Sequence, residues 1–187
     1  MPLPESQARE ELHTRQITCT GYHRDDKLWD VDAHITDVKT YSFENSHRGT
    51  IHSGEPVHEM WIRLTVDEQL VLRDCIAVTD YSPYHCCPDI TPIFKKLIGE
   101  KIAAGWTRRV KELVGGLQGC THLTDLIGPA TTTIFQTMAG LNLGRGSSSK
   151  TKPFYIDGCH TWSSKGEQVL EHHPEFYTGK KRPLNRS

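Results

Sequence analysis

From Glu59 to Asp67 the chain keeps a period of two. Met60, Ile62, Leu64 and Val66 fall on one side, with Glu59, Arg63, Thr65 and Asp67 on the other. That spacing belongs to a β-strand with one apolar face, because a helix brings residues onto one side every 3.6 positions. The same alternation runs through Trp29, Val31, Ala33 and Ile35, set against Asp30, Asp32 and His34. Strands of this kind bury one face of a sheet, so another layer has to cover them.

The connection Asp67-Glu68-Gln69 and a β-rich return from Leu70 to Val78 predict a hairpin. Upstream, Thr14 to Phe43 favours strands, and His47 to Pro56, rich in Gly, Ser, Asn and His, reads as a loop. After the hairpin the period changes. Asp89 is placed to cap a helix in which Ile90, Phe94, Leu97 and Ile98 recur at helical spacing, up to about Ala104. Thr107 opens a shorter helix through Val114, stopped by Gly115 and Gly116. A third helix starts after Cys120 and runs toward Met138, with a kink expected at Gly128-Pro129. Strands first and helices afterwards predict an α+β fold, an antiparallel sheet with two to three helices packed on one face. Residues 1–13 read as a flexible leader and 14–187 as a single α+β domain. Its tail becomes loop-rich from about 140, beginning with a flexible connector over 140–152, and its basic end, Lys180-Lys181-Arg182, reads as a solvated terminus.

Composition narrows the function classes. The 187 residues carry a formal charge of −1, so no bulk attraction to nucleic acid or anionic lipid is expected. No apolar run reaches the roughly 18 residues that span a bilayer, and the polar start lacks the apolar stretch of a secretory signal. These features predict a cytoplasmic protein whose partner is a small molecule or a metal, with neither nucleic acid nor membrane. Six cysteines at 19, 75, 86, 87, 120 and 159 then read as thiols rather than disulfides. None forms a Cys-x-x-Cys pair, which disfavours a zinc ribbon or a thioredoxin-type motif.

Three segments combine ligand-type residues with the ends of predicted elements. His58 shares the inward phase of Met60, Ile62 and Leu64; it is either a core histidine bonded to a carbonyl or a ligand or base at the sheet end. Cys87 lies between the hairpin and the first helix, and Cys120 follows the glycine-rich Gly115-Gly116-Leu117-Gln118-Gly119. A cysteine ahead of a helix feels the positive end of its dipole, which favours thiolate, although free cysteines are also ordinary core residues. Gly119 lets the turn tighten and leaves the first helical N–H groups free to face an anion or cofactor. His122 adds a second imidazole. Two thiolates with one or two imidazoles suit zinc or iron, so His58, Cys87, Cys120 and His122 form the expected metal set. The same residues allow catalysis, with Cys120 as nucleophile and His58 or His122 as general acid–base. Cys159-His160 in the tail supplies a spare ligand pair. Arg24, Asp25 and Asp26 read as a salt-bridged turn or an acid–base group beside the pocket, and Arg63 with Asp67 as a solvated pair.

Arg24-Asp25-Asp26, Gly54-Glu55-Pro56-Val57-His58-Glu59-Met60 and Gly119-Cys120-Thr121-His122-Leu123 resemble a bacterial family, domain of unknown function family 2889. The resemblance runs from about Arg15 to the tail and implies no particular activity. More distantly, the order strand, hairpin, cysteine, helix, cysteine, helix is similar to the U-type iron–sulfur cluster scaffold proteins. Gly54 to His58, Cys87 and Cys120 would match that family's three motifs, which implies a shared fold and a metal or cluster site. His58 stands where that family has its first cysteine and Met60 where it has aspartate. A zinc or mononuclear iron site tolerates those differences better than a labile cluster. Three functions follow as expectations. The first is a metal- or iron–sulfur-binding protein. The second is a small bacterial catabolic enzyme (lyase, hydrolase or decarboxylase on a carboxylated or thioester substrate) using Cys120 or a bound metal. The third is an adaptor without chemistry.

Overall fold

In the computed structural model the described residues are 3–139, 152–153 and 155–180. The connector expected over 140–152 lies outside them except for its last residue, as do Lys181 and Arg182 of the basic end. The chain divides into two compact units, Met1–Gly144 and Arg145–Ser187. Among the described residues no helix is long and apolar enough to cross a membrane.

The first unit is built on a four-stranded antiparallel sheet. Its strands are β1 (His13–His23), β2 (Trp29–Lys39), β5 (Pro56–Val66) and β6 (Leu72–Tyr81), in the order β1-β2-β5-β6. Between β2 and β5, part of the segment expected to be a loop is a strand instead, β4 (Gly49–Ile51), which pairs with β3 (Phe43–Asn45) just ahead of that segment. The alternation works as the period requires. Trp29, Val31, Ala33 and Ile35 face inward with Met60, Ile62, Leu64 and Val66, all essentially buried.

Three helical segments cover that face, but the first is not the expected α-helix. Cys87–Leu97 is a 3₁₀ segment with Cys86 at its N-cap position, not Asp89. Pro88 stands in the first turn, where proline is tolerated, but Pro92 lies inside the segment, removes a backbone donor and crowds the carbonyl four residues back, which disfavours a regular α-helical ladder. Phe94 and Leu97 are still buried against the core. Helix α1 (Trp106–Val114) ends at Gly115 as the glycine pair suggests. Helix α2 (Thr121–Ala139) runs unbroken through Pro129. Gly128 has no Cβ to meet the proline ring that follows it, which eases the usual restriction before proline. Trp106 on α1 donates from Nε1 to Thr131 Oγ1 on α2, 3.0 Å away. A Cβ on Gly21 would lie 1.9 Å from Thr137 Oγ1, so β1 meets α2 at a point only glycine fits.

Two polar details concern the predicted turns. Arg24 pairs with Asp26 at 2.7 Å in the β1–β2 turn. Arg63 does not reach Asp67. It grips Asp32 across the strands at 2.5 and 2.6 Å, while Asp67 takes Arg73 as its partner. Four residues of extended strand span roughly 13 Å, too far for the expected pair. In the second unit, the described residues include helix α3 (Glu167–His172) and a 3₁₀ turn at Pro174–Phe176. Thr178 there donates its N–H to the Ser164 carbonyl at 2.8 Å.

Candidate metal centre

The inward row of β2 does not stop at Ile35. Two residues on, in the same phase, comes Asp37, whose side chain is only 3% exposed. Strand register aligns it with Arg15 on β1 and with His58 on β5, giving an Arg15–Asp37–His58 row across the end of the sheet. The β2–β5 pairing slips immediately afterwards, between Asp37 and Val38, so the ladder is irregular where the site begins. The first turn of α2 crosses this end and brings His122.

Asp37 gathers the contacts. Arg15 donates from Nε and Nη2 at 2.8 and 2.9 Å, one bond to each carboxylate oxygen, and His13 Nε2 lies 3.0 Å from Oδ1. His58 Nδ1 is 3.1 Å and His122 Nε2 3.8 Å from Oδ2. The two rings stack with centroids 3.8 Å apart. Arg15 also reaches Asp125 of α2 at 3.4 Å, tying the edge strand to the helix that carries His122.

His58 Nδ1 is sealed from solvent, 3.1 Å from Asp37 Oδ2 in a geometry short of a well-aligned hydrogen bond. Their surroundings push both rings toward the neutral form. Burial, with the neighbouring His122 ring, pushes His58 down to about 4. Burial, then Arg15, lowers His122 as well. For Asp37, burial favours the protonated acid, but Arg15 together with His13 and His58 outweighs it and holds the carboxyl below its ordinary value. Neutral imidazoles beside an ionised carboxylate are the protonation states that metal ligation needs.

Asp37, His58 and His122 offer ligand atoms that all lie within 4.8 Å of one another. Among the described residues no other three His, Cys, Asp or Glu side chains converge this closely. They adjoin a cavity of about 330 Å³ lined by His58, Met60, Pro83, Tyr84, Cys86, Cys87, Ile90, Gly119, Cys120, Thr121 and His122. His58, Cys87, Cys120, His122 and Gly119 thus share one cavity, while Cys87 and Cys120 stand outside the three-residue group. Cys120 Sγ lies 3.9 Å from His122 Nδ1. Gly119 is required by space: a Cβ there would lie 1.8 Å from the Val114 carbonyl oxygen. Cys159 and His160 are exposed residues of the Arg145–Ser187 unit.

A family model described as a protein of unknown function, DUF2889, matches residues 13–136. The chain belongs to that family. Its DUF2889 region spans β1 to all but the last residues of α2 and so contains Arg15, Asp37, His58, Cys120 and His122. No curated protein and no solved structure matches the chain. The likeness to U-type scaffolds rests on the sequence motifs alone.

Asp37 and Arg15 escaped the sequence reading although a signal was present. An aspartate continuing the phase Trp29, Val31, Ala33, Ile35 is a charge on a buried face, and such a charge needs a partner.

Proposed function

We propose that this DUF2889 protein binds a single zinc or iron ion through His58, His122 and Asp37, beside a cavity that admits a small molecule. The observation carrying this reading is the convergence of three ligand atoms within 4.8 Å, one of them a buried imidazole nitrogen 3.1 Å from the carboxylate. Ligands each about 2.1 Å from one ion stand about 3.0–3.4 Å apart, so small side-chain movements close the set. Two histidines and one carboxylate that leave positions open suit non-haem iron(II) and zinc. Arg15 already offsets the charge of Asp37, so the imidazoles supply most of the affinity. Nitrogen and oxygen ligands favour a mononuclear ion over an iron–sulfur cluster, and Asp37 takes the place first given to Cys87. A bound ion would act as a Lewis acid and lower the pKa of bound water. Free thiols at all six cysteines accord with a reducing, cytoplasmic setting.

Elemental analysis of protein purified with and without oxygen, followed by calorimetric titration with Zn(II) and Fe(II), tests the proposal. About one ion per chain is expected, with loss of binding in His58→Ala/His122→Ala. Asp37→Asn should weaken binding and also destabilise the fold by about 3 kcal/mol, because it leaves Arg15 facing a neutral group. Metal content near zero together with no heat of binding would end the reading.

A second reading draws on the order thiol, imidazole, carboxylate. Cys120 Sγ is 3.9 Å from His122 Nδ1, and His122 Nε2 is 3.8 Å from Asp37. In this role Cys120 is a nucleophile with His122 as its base, oriented by Asp37. Alkylation of Cys120 by iodoacetamide should then slow markedly in His122→Gln; an unchanged rate excludes it.

A further inference from the structure

Cys120 has a second neighbour that no His–Cys–carboxylate pattern contains. Met60 Sδ lies 3.9 Å from Cys120 Sγ, the same distance that separates that sulfur from His122 Nδ1. Met60 belongs to the buried row of β5 and is 1% exposed, yet it lines the cavity. A thioether beside a thiol is ordinary packing in a core. Here, though, an imidazole nitrogen stands equally near the same sulfur, beside the same cavity.

We propose that Cys120 Sγ, Met60 Sδ and His122 Nδ1 form a soft metal site that selects monovalent copper. Two sulfurs each about 2.3 Å from one ion, at the angle of three-coordinate geometry, are separated by about 4 Å. The 3.9 Å from Cys120 Sγ to Met60 Sδ, and the same distance to His122 Nδ1, match the two edges such a site needs on either side of the thiolate. Thiolate and thioether sulfur favour Cu(I) over the harder divalent ions. Charge gives the same answer. Cu(I) displaces the Cys120 thiol proton to solvent, and thiolate plus Cu(I) is a neutral pair. On the side of buried Met60, a neutral pair costs less to desolvate than the net charge a divalent ion would leave there. His122 borders both sets, presenting Nδ1 to Cys120 and Nε2 to Asp37. The inference rests on the pocket being a metal site, but it requires neither Asp37 nor His58.

The test is anaerobic titration of the full chain with Cu(I) against the chromophoric chelator bicinchoninate, alongside calorimetric titration with Zn(II). The wild type should take up one Cu(I). Met60→Leu, which nearly conserves volume, should weaken Cu(I) by about tenfold or more, since even outer-shell partners are worth that much. Its Zn(II) affinity should stay close to wild type, and Asp37→Asn should show the opposite pattern. Copper-edge X-ray absorption of the wild type should report two sulfur neighbours and one nitrogen, a readout independent of how well any variant folds. Absence of Cu(I) uptake, equal Cu(I) affinity in Met60→Leu, or only nitrogen and oxygen neighbours overturns this site. Zn(II) binding without Cu(I) would overturn it while sparing the Asp37–His58–His122 centre; Cu(I) binding without Zn(II) would do the reverse.

Discussion

His58 is forced by its neighbours to stay neutral, and that makes it a source of acid sensitivity. Its ordinary value of 6.5 falls to about 4 because burial and the stacked His122 ring oppose the cation. Between those values the unfolded chain takes up a proton that the folded chain refuses. The contribution is therefore complete above about pH 6.5 and is lost as pH falls toward 4, by roughly 3 kcal/mol. Asp37 adds a loss at lower pH, because Arg15 holds its carboxyl below 3.8 in the folded state. In metal-free protein, urea midpoints should drop from pH 7 to pH 4.5, and His58→Asn should flatten that drop. Parallel slopes for the two proteins would mean that His58 is not protected from protonation. An aspartate can lie in a row otherwise made of Trp29, Val31, Ala33 and Ile35 because Arg15 meets both of its oxygens.

Among the elements, α2 does the most to create the site, and the turn before it fixes where α2 begins. Gly119 runs so close to the end of α1 that any side chain would strike the Val114 carbonyl. Backbone cannot yield as a flexible side chain does, so Gly119→Ala should displace Cys120 and His122 together. We expect destabilisation of about 1–3 kcal/mol, the range of overpacked core positions, with metal affinity falling in parallel. Thermal unfolding and Zn(II) calorimetry on one preparation would show both; a variant as stable as the wild type would mean the turn is free to move. The 3₁₀ segment Cys87–Leu97 is the opposite case. Pro92 removes a helical hydrogen bond, yet Phe94 and Leu97 are buried all the same, so packing rather than backbone regularity holds it.

For the whole molecule, the division at Gly144 predicts that residues 1–144 carry the sheet, its covering helices and the metal site by themselves. A chain ending there should unfold cooperatively and bind Zn(II) with the affinity of the full protein. A product without cooperative unfolding would show that the remaining residues are needed for folding. The DUF2889 match ends within α2, inside that first unit.

The sequence by itself determined the strand periods, the change to helices after the hairpin, the stop at Gly115 and the inward phase of His58. Each depends on residues close along the chain, where spacing translates directly into a face. It also drew attention to His58, Cys87, Cys120 and His122, which border one cavity, though what they do there is proposed from geometry and chemistry. Only the tertiary structure decided that Asp37 and Arg15 join His58, and that Met60 meets Cys120. Those neighbours are brought together by strand register and by the seat of α2 on the sheet, across 22 residues for Arg15 and Asp37 and 60 for Met60 and Cys120. No local period encodes separations of that length, because pairing register is settled by the burial of whole strands at once.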